Sequence, residues 1–186
     1  VARGLGLPET TFDPAFVGGI STLRLIHYPV RTPDELAAVA DPELWVAHQG
    51  RRCHVSGKAH VDSGFVTLLA QDGVAGLQAR GRDGGWIDVP PCEGTLAVNF
   101  GRVLDRWTGG RIKATEHRVI AIGCERYSVP FFYEPRVDAE IAPLPLVGIE
   151  RFEPFWYGDY LWERSTQFVE FQGLEALRKP RRPVTV

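Results

Sequence analysis

Residues 58–72, KAHVDSGFVTLLAQD, place two potential metal ligands directly ahead of an apolar run. His60 and Asp62 are two residues apart, and the run 65–70 has the composition of a β-strand. Side chains at positions i and i+2 of an extended chain point to the same side. The stretch therefore predicts that an imidazole and a carboxylate leave the backbone side by side, with Leu68 of the following strand on their face.

The composition is that of a globular domain and argues against several classes of partner. Of the 186 residues, 44% are hydrophobic and 24% are charged, with a net charge of −2. That charge disfavours nucleic acid or an anionic membrane as the main partner, since either would favour a basic face. No apolar run approaches the length of a membrane span. The three cysteines are odd in number and form no CxxC, which indicates reduced thiols and a cytoplasmic protein.

The chain is expected to be a single catalytic domain over residues 1–186 and the C-terminal part of a longer protein. It contains no Met, so it does not begin at a start codon of its own. Residues 1–7 also resemble the last turns of a helix, closed by Gly6 and then Pro8.

Short β-rich segments separated by turn residues follow this beginning. Strands are predicted over 20–28, 111–122 and 128–133, whereas 41–57 has no clear period and is predicted to be a loop. Short strands at this spacing are typical of an antiparallel sandwich or barrel. Apolar residues at near-helical spacing over 155–171 predict a C-terminal helix that covers part of the sheet.

His117 is the best candidate for a third metal ligand. It lies on the predicted strand 111–122, far enough downstream for other strands to bring it back beside His60 and Asp62. Two His and one carboxylate on one face, with open positions opposite, form the facial triad of non-haem Fe(II) oxygenases. A zinc site with water in the fourth position is the nearest alternative, and ordinary hydrogen-bonded surface or core residues are the other.

Arg126 and Ser128 follow His117 and share one face of their predicted strand by alternation. A guanidinium grips a carboxylate through two hydrogen bonds and a hydroxyl adds one more, so the pair suits the far carboxylate of a dicarboxylic acid. A structural salt bridge and a turn hydroxyl are the alternative.

Taken together, these residues and their order resemble a known family over residues 20–135. The resemblance is carried by LRLIHYP, AHVDSGFVTLLAQD, GLQ, WIDVPP, GTLAVNFG, RWTGG, ATEHRV and RYSVPFF. In this order and spacing the set resembles the catalytic domain of the isopenicillin N synthase-like family of 2-oxoglutarate- and Fe(II)-dependent dioxygenases.

The resemblance implies a mainly β fold, a double-stranded β-helix (jelly roll). The apolar spacing near the C-terminus adds a flanking helix, within a helical extension expected over 150–175. It implies that Fe(II) is held by His60, Asp62 and His117, and that O2 is a co-substrate. Ascorbate is a candidate reductant.

The resemblance also implies binding roles along the pocket. The far carboxylate of 2-oxoglutarate would be held by Arg126 and Ser128, with Tyr28 and Asn99 as further co-substrate contacts. Two later positions, Phe132 and Glu134, fall where members of the family line the substrate pocket.

Three features depart from the pattern of the family. Ile26 stands where an Asn is usual, and Arg102 stands where an acid is usual in the segment NFGR. The stretch 31–57 is also longer than the usual link to the His-x-Asp motif.

The function expected from these features is oxidation of a small organic substrate by O2, as hydroxylation, desaturation or ring closure, with release of succinate and CO2. Two alternatives remain open at this stage. One is an oxidase of the same family that does not use 2-oxoglutarate, and the other is a non-catalytic jelly-roll binding module.

Overall fold

The computed structural model describes residues 1–167 and 171–177, and β-strands are its main element. The strands are β1 Thr22–Leu23, β2 Ile26–Tyr28, β3 Trp45–His48, β4 Arg51–His60, β5 Val66–Gln71, β6 Leu77–Arg80, β7 Trp86–Asp88, β8 Ala97–Phe100, β9 His117–Ile120, β10 Arg126–Tyr133, β11 Glu140–Ile141 and β12 Phe155–Trp156. The α-helices are α1 Asp13–Phe16, α2 Pro33–Ala37, α3 Arg102–Trp107 and α4 Tyr157–Ser165. Short 3-10 turns span Arg3–Leu5, Pro42–Leu44 and Glu175–Leu177.

The strands form two antiparallel five-stranded sheets and one small pair. In the first sheet the order is β1, β10, β5, β8, with β2 also paired to β10. The second sheet has the order β3, β4, β9, β6, β7, and β11 pairs with β12. The predicted antiparallel, mainly β fold is confirmed.

Strand β10 organises the first sheet because it pairs with strands on both sides. Arg126 lies opposite Tyr28, and Ser128 lies opposite Gln71. Because successive side chains alternate between faces, Arg126 and Ser128 leave the strand on the same side. The residues predicted to bind the co-substrate therefore line up along one face.

The prediction of a loop over 41–57 is wrong, because most of this stretch forms the hairpin β3–β4. The hairpin turns at Gln49 and Gly50, which have φ of 48° and 73°. Two consecutive residues with positive φ match the twist of a tight antiparallel hairpin. The hairpin buries Cys53 and Val55 against Ile120, with Leu44 and Val46 packed alongside. Polar residues at the ends of both strands interrupt the alternation of apolar and polar residues, so the pattern did not predict this hairpin.

Other predicted strands are shorter than expected. Strand β9 covers only His117–Ile120 of the predicted 111–122. Gly109 and Gly110 have positive φ and turn the chain after α3, and the Asp105 carboxylate accepts the backbone N–H of Ala114 at 2.9 Å. The predicted strand 20–28 is divided into β1 and β2, both paired to β10.

The C-terminal helix is confirmed as α4, although it is shorter at both ends than the predicted range 155–171. Tyr157 and Tyr160 are almost fully buried and pack with Phe155 and Leu104 in the main hydrophobic cluster. Full burial of an apolar side chain such as Phe155 or Leu104 contributes about 2 kcal/mol to stability. Of the predicted range 155–171, residues 168–170 lie outside the described part of the chain.

Two further observations concern the expected partners and thiols. In the described ranges, no helix has the length and apolar character that a membrane crossing requires. The cysteines are free thiols; Cys53 is buried, whereas Cys92 and Cys124 are exposed.

Candidate metal centre and co-substrate pocket

Three predicted metal ligands converge where the two histidine-bearing strands meet. His60 is the last residue of β4, His117 is the first of β9, and the two lie opposite each other in the ladder. Asp62 lies in the loop after β4, so the expectation that it shares a strand with His60 is wrong. One potential ligand atom from each residue lies within 4.8 Å of the others.

Both imidazoles present the same nitrogen to the centre of this cluster. The Nε2 atoms of His60 and His117 lie 3.5 Å and 3.7 Å from Oδ1 of Asp62. Their Nδ1 atoms lie 2.8 Å from the carbonyl of Lys58 and 3.0 Å from that of Thr115. A carbonyl can only accept, so these contacts assign the proton to Nδ1 and leave a lone pair on Nε2.

The Asp62 carboxylate is held by two neighbours that leave one oxygen free. Its Oδ2 accepts hydrogen bonds from Thr67 Oγ1 at 2.5 Å and from Asn99 Nδ2 at 2.8 Å. Thr67 and Asn99 also lie opposite each other on β5 and β8. Oδ1 therefore remains for a metal, beside the two imidazole nitrogens.

Sequence reasoning missed Thr67 and misplaced its neighbour Leu68. Because Thr67 reaches Asp62, alternation sends Leu68 to the opposite face of β5, and the prediction that Leu68 lies on the metal face is wrong. The available signal was the position of Thr67 on the strand that follows the His-x-Asp motif. To use this signal, one must know whether the odd-numbered or the even-numbered residues of β5 face the metal centre.

The ionisation of the cluster is uneven. Burial alone would raise the pKa of Asp62, but its contacts with His60, the charge of His117 and the bonds from Thr67 and Asn99 hold that pKa well below the usual range. The hydrogen bond with Asp62 raises the pKa of His60, whereas burial lowers the pKa of His117. A carboxylate that stays ionised and a histidine that stays neutral are both ready to bind a cation.

Arg126 is the first residue of β10, on the face of the sheet that carries Thr67, and it has one unsatisfied nitrogen. Its side chain is 3% exposed; Nη2 donates to Gln71 Oε1 at 3.1 Å and Nε to the carbonyl of Val74 at 3.3 Å. The ring of Tyr28 lies 5.0 Å from the guanidinium carbon. Nη1 is buried without a partner, which is costly unless an anion completes it.

The remaining predicted residues lie along the same strand. Ser128 is buried, one step inward from Arg126 on the same face. Phe132 is half-buried opposite Thr67. Glu134 is buried just beyond the end of β10, its Oε2 has no partner, and burial together with the charge of Asp62 raises its pKa to about 8.

The donor set fits a metal that keeps open coordination positions. Two imidazole nitrogens and one carboxylate oxygen are the facial set of non-haem Fe(II) proteins. The unpartnered Arg126 nitrogen fits the carboxylate of an acid bound between the two ends. Together, the two antiparallel sheets and this site define the class of metal-dependent oxygenases that activate O2 on a 2-His-1-carboxylate centre.

Comparison with known proteins gives the family directly. Residues 20–135 match the 2OG-Fe(II) oxygenase superfamily. The chain belongs to this superfamily, whose cofactor is Fe(II) and whose co-substrate is 2-oxoglutarate. The resemblance stated from the sequence is confirmed.

Two relatives illustrate the similarity in sequence. A 2-oxoglutarate-Fe(II) type oxidoreductase of Emericella nidulans is 40% identical over 147 residues, which cover 78% of this chain and 38% of the relative. A homoarginine-6-hydroxylase of Oryza sativa subsp. japonica is 33% identical over 180 residues, 91% of this chain and 50% of the relative. The chain therefore spans half or less of the length of these relatives.

The structural comparison supports the same fold. A full-length protein of Neurospora crassa, solved in complex with alpha-KG and thymine, is similar with a TM-score of 0.76 and 31% identity, over 90% of this chain and 50% of that one. Structures of this superfamily are jelly rolls, and the predicted jelly-roll fold is confirmed.

Proposed function

We propose that the chain is the catalytic portion of a non-haem Fe(II)- and 2-oxoglutarate-dependent oxygenase that oxidises a small organic substrate. The observation that carries the proposal is the convergence of His60 Nε2, His117 Nε2 and Asp62 Oδ1, each with its other polar atom already bonded. Such an arrangement holds the ligands in place before a metal binds, which lowers the cost of binding.

In this proposal His60, Asp62 and His117 hold Fe(II). Together with 2-oxoglutarate the bound metal supplies O2 activation for hydroxylation, desaturation or ring closure, with release of succinate and CO2. The residues of the chain fix the ligand geometry, keep Asp62 ionised and exclude water from the buried end of the pocket.

The opposite end of the face would bind the co-substrate. Arg126 would donate its free Nη1 to the far carboxylate, Ser128 would add a hydroxyl, and the ring of Tyr28 would pack beneath the guanidinium. Gln71 and the Val74 carbonyl keep Arg126 pointing inward.

Asn99 receives a different role from the one the sequence suggested. Its amide nitrogen is already used on Asp62, so we propose that Asn99 and Thr67 position the ligand carboxylate. A contact of Asn99 with the co-substrate stays a prediction.

The substrate is proposed only as a class. The Neurospora crassa protein was solved with thymine, and the rice relative is named for homoarginine, so the superfamily accepts small molecules of unlike charge. Phe132 and Glu134 are proposed as lining residues at the metal end of β10.

We also propose a cytoplasmic location, supported by the free cysteines, and a single catalytic domain over residues 1–186.

The proposal is tested by turnover of 2-oxoglutarate without added substrate. Wild-type chain supplied with Fe(II) and ascorbate should form succinate, and H117A should not. An exposed histidine that lies outside the site, changed as H27A, is the matched control and should keep the wild-type rate. A folded wild-type chain that forms no succinate but consumes O2 with a substrate would instead identify the oxidase that does not use 2-oxoglutarate.

A further inference from the structure

A cavity of about 720 Å3 lies away from the candidate metal centre. It is enclosed by the β3–β4 hairpin, by residues 29–31 after β2, and by the loops that follow β5, β7 and β9. None of the nine residues predicted for the metal, co-substrate or substrate lines it. Its size falls within the roughly 300–1,000 Å3 of small-molecule sites.

The cavity depends on the stretch 31–57, which is longer than the resemblance led us to expect. The hairpin within it contributes Trp45, Cys53 and His54 to the wall, while Leu36 comes from α2. The departure from the family pattern and the cavity therefore have the same origin in the sequence.

A buried histidine in the wall lacks a hydrogen-bonding partner. His54 is 5% exposed, and its Nδ1 is buried with no partner among the described residues. Its ring meets the edge of Trp45 with centroids 5.6 Å apart. Because this nitrogen has no accessible surface, the ring serves as an apolar part of the wall beside Trp45.

The charge around the cavity is positive and uncompensated. Arg51 and Arg52 both line it, and within the described residues neither forms an ion pair. The guanidinium of Arg52 lies flat against Trp45, 4.1 Å from the ring centroid, which orients its N–H groups and leaves them free to donate.

The acidic residue of the wall is already engaged. Asp88 Oδ1 accepts a hydrogen bond from Gln78 Nε2 at 2.8 Å, and Oδ2 lies 3.5 Å from Nε2 of His48. The buried Gln78 also accepts from Arg118 at 2.8 Å, so this network fixes Asp88 at the wall. The charged groups of the wall that remain unpaired among the described residues are therefore arginines, which favours an anion as the ligand.

We propose that this cavity is a second binding site, for a small organic anion with an apolar body. Arg52, oriented by Trp45, binds its carboxylate or phosphate, Arg51 adds a second positive charge, and Trp45 and Leu77 contact its apolar part. The site is separate from the co-substrate pocket and does not depend on the proposed oxygenase activity.

Benzoate and phenyl phosphate serve as probes for the two possible anionic groups. Each is titrated into the metal-free chain by calorimetry, in a buffer without phosphate. Saturable binding of one molecule per chain is expected, and the tighter of the two probes identifies the anionic group. Because a hydrogen bond to a charged group is strong, R51Q and R52Q should each weaken binding at least tenfold. An exposed arginine outside the cavity, changed as R82Q, should leave binding unchanged.

A second readout uses two exposed thiols as internal controls. Cys124 lines the cavity and Cys92 does not. A saturating probe should slow alkylation of Cys124 by a maleimide severalfold and leave Cys92 at its original rate. This comparison is made within one folded sample, so it does not depend on how well a variant folds.

The variant R126Q separates this site from the co-substrate pocket. Binding that survives R126Q and fails in R51Q supports the proposal. Binding lost in R126Q and kept in R51Q places the probe in the co-substrate pocket and overturns it, as does the absence of saturable binding to the wild-type chain. Neither result bears on succinate formation.

Discussion

The metal centre, at the ends of β4 and β9, and the Arg126 end of β10 are prepared in opposite ways. At the metal end, the Nδ1 atoms of both histidines and Oδ2 of Asp62 are bonded within the protein, so each of these three side chains has one ligand atom left for a metal. At the other end, Arg126 is buried with Nη1 left unpaired. One end is fixed in geometry, and the other holds an unsatisfied charge.

The difference reflects what each end is proposed to bind, a metal ion at one and a carboxylate at the other. A metal ion demands fixed distances and tolerates little reorganisation, so its ligands are oriented by neighbouring groups. A carboxylate ligand is recognised mainly by charge and by a forked pair of N–H groups, so a single anchored guanidinium is sufficient. We expect damage at the metal end to abolish activity and damage at the arginine end to weaken co-substrate binding.

The largest effect is expected from removing a metal ligand. D62A deletes the carboxylate that both imidazoles face and should lower substrate-independent succinate formation by more than about a hundredfold, since even changes to the groups behind the ligands cost about 10–100-fold. The rate is measured under saturating 2-oxoglutarate, with H27A as the control. A D62A chain that keeps a substantial rate would show that the fixed end is not the metal site.

The next effect is expected at the arginine end. R126Q keeps a hydrogen-bonding group but loses the charge, and it should raise the KM for 2-oxoglutarate by roughly 10–100-fold with a smaller change in kcat. R126K keeps the charge but loses the forked pair of N–H groups, and its KM for 2-oxoglutarate should lie between those of the wild type and R126Q. Equal losses in kcat with an unchanged KM would mean that Arg126 does not hold the co-substrate.

A smaller effect is expected from the groups that hold Asp62. N99A leaves Oδ2 with Thr67 as its donor and should weaken divalent metal binding about tenfold, measured by anaerobic calorimetric titration of the metal alone. T67V should act in the same direction. An exposed threonine outside the site, changed as T95V, is the control, and N99A with wild-type affinity would contradict the proposed positioning role.

The smallest effect on activity is expected at Glu134, a buried carboxyl whose Oε2 has no partner among the described residues, and here the consequence is a change in stability. Burial raises the pKa of Glu134, so the folded chain retains this proton up to about pH 8, whereas an ordinary Glu loses it near pH 4.5. Unfolding in this interval therefore releases a proton, and the free energy of unfolding falls as pH rises from about 4.5 to 8, by roughly 5 kcal/mol at most.

The substitution E134Q removes this dependence because glutamine does not ionise. The variant should match the wild type near pH 5 and be the more stable of the two at pH 8, measured by chemical denaturation of the metal-free chain. Parallel pH profiles for both proteins would show that Glu134 does not hold a proton in the folded state.

The sequence predicted the three residues of the candidate metal cluster because their order and spacing do not depend on the exact strand boundaries. His60, Asp62 and His117 were identified although β4 ends at His60 and β9 is only four residues long. The bond of Asn99 and Thr67 to Asp62 was not predictable, because it depends on the register between β5 and β8. The hairpin β3–β4 was missed for the same reason, since its apolar contacts form with Ile120 far along the chain.

The most direct test of the central claim is an anaerobic titration of the wild-type chain with Fe(II) and 2-oxoglutarate, followed by visible absorption. We predict a saturable charge-transfer band that is absent in D62A and that requires roughly 10–100-fold more 2-oxoglutarate in R126Q. A folded wild-type chain that gives no band, or a band that D62A leaves intact, would contradict the assignment of the two ends.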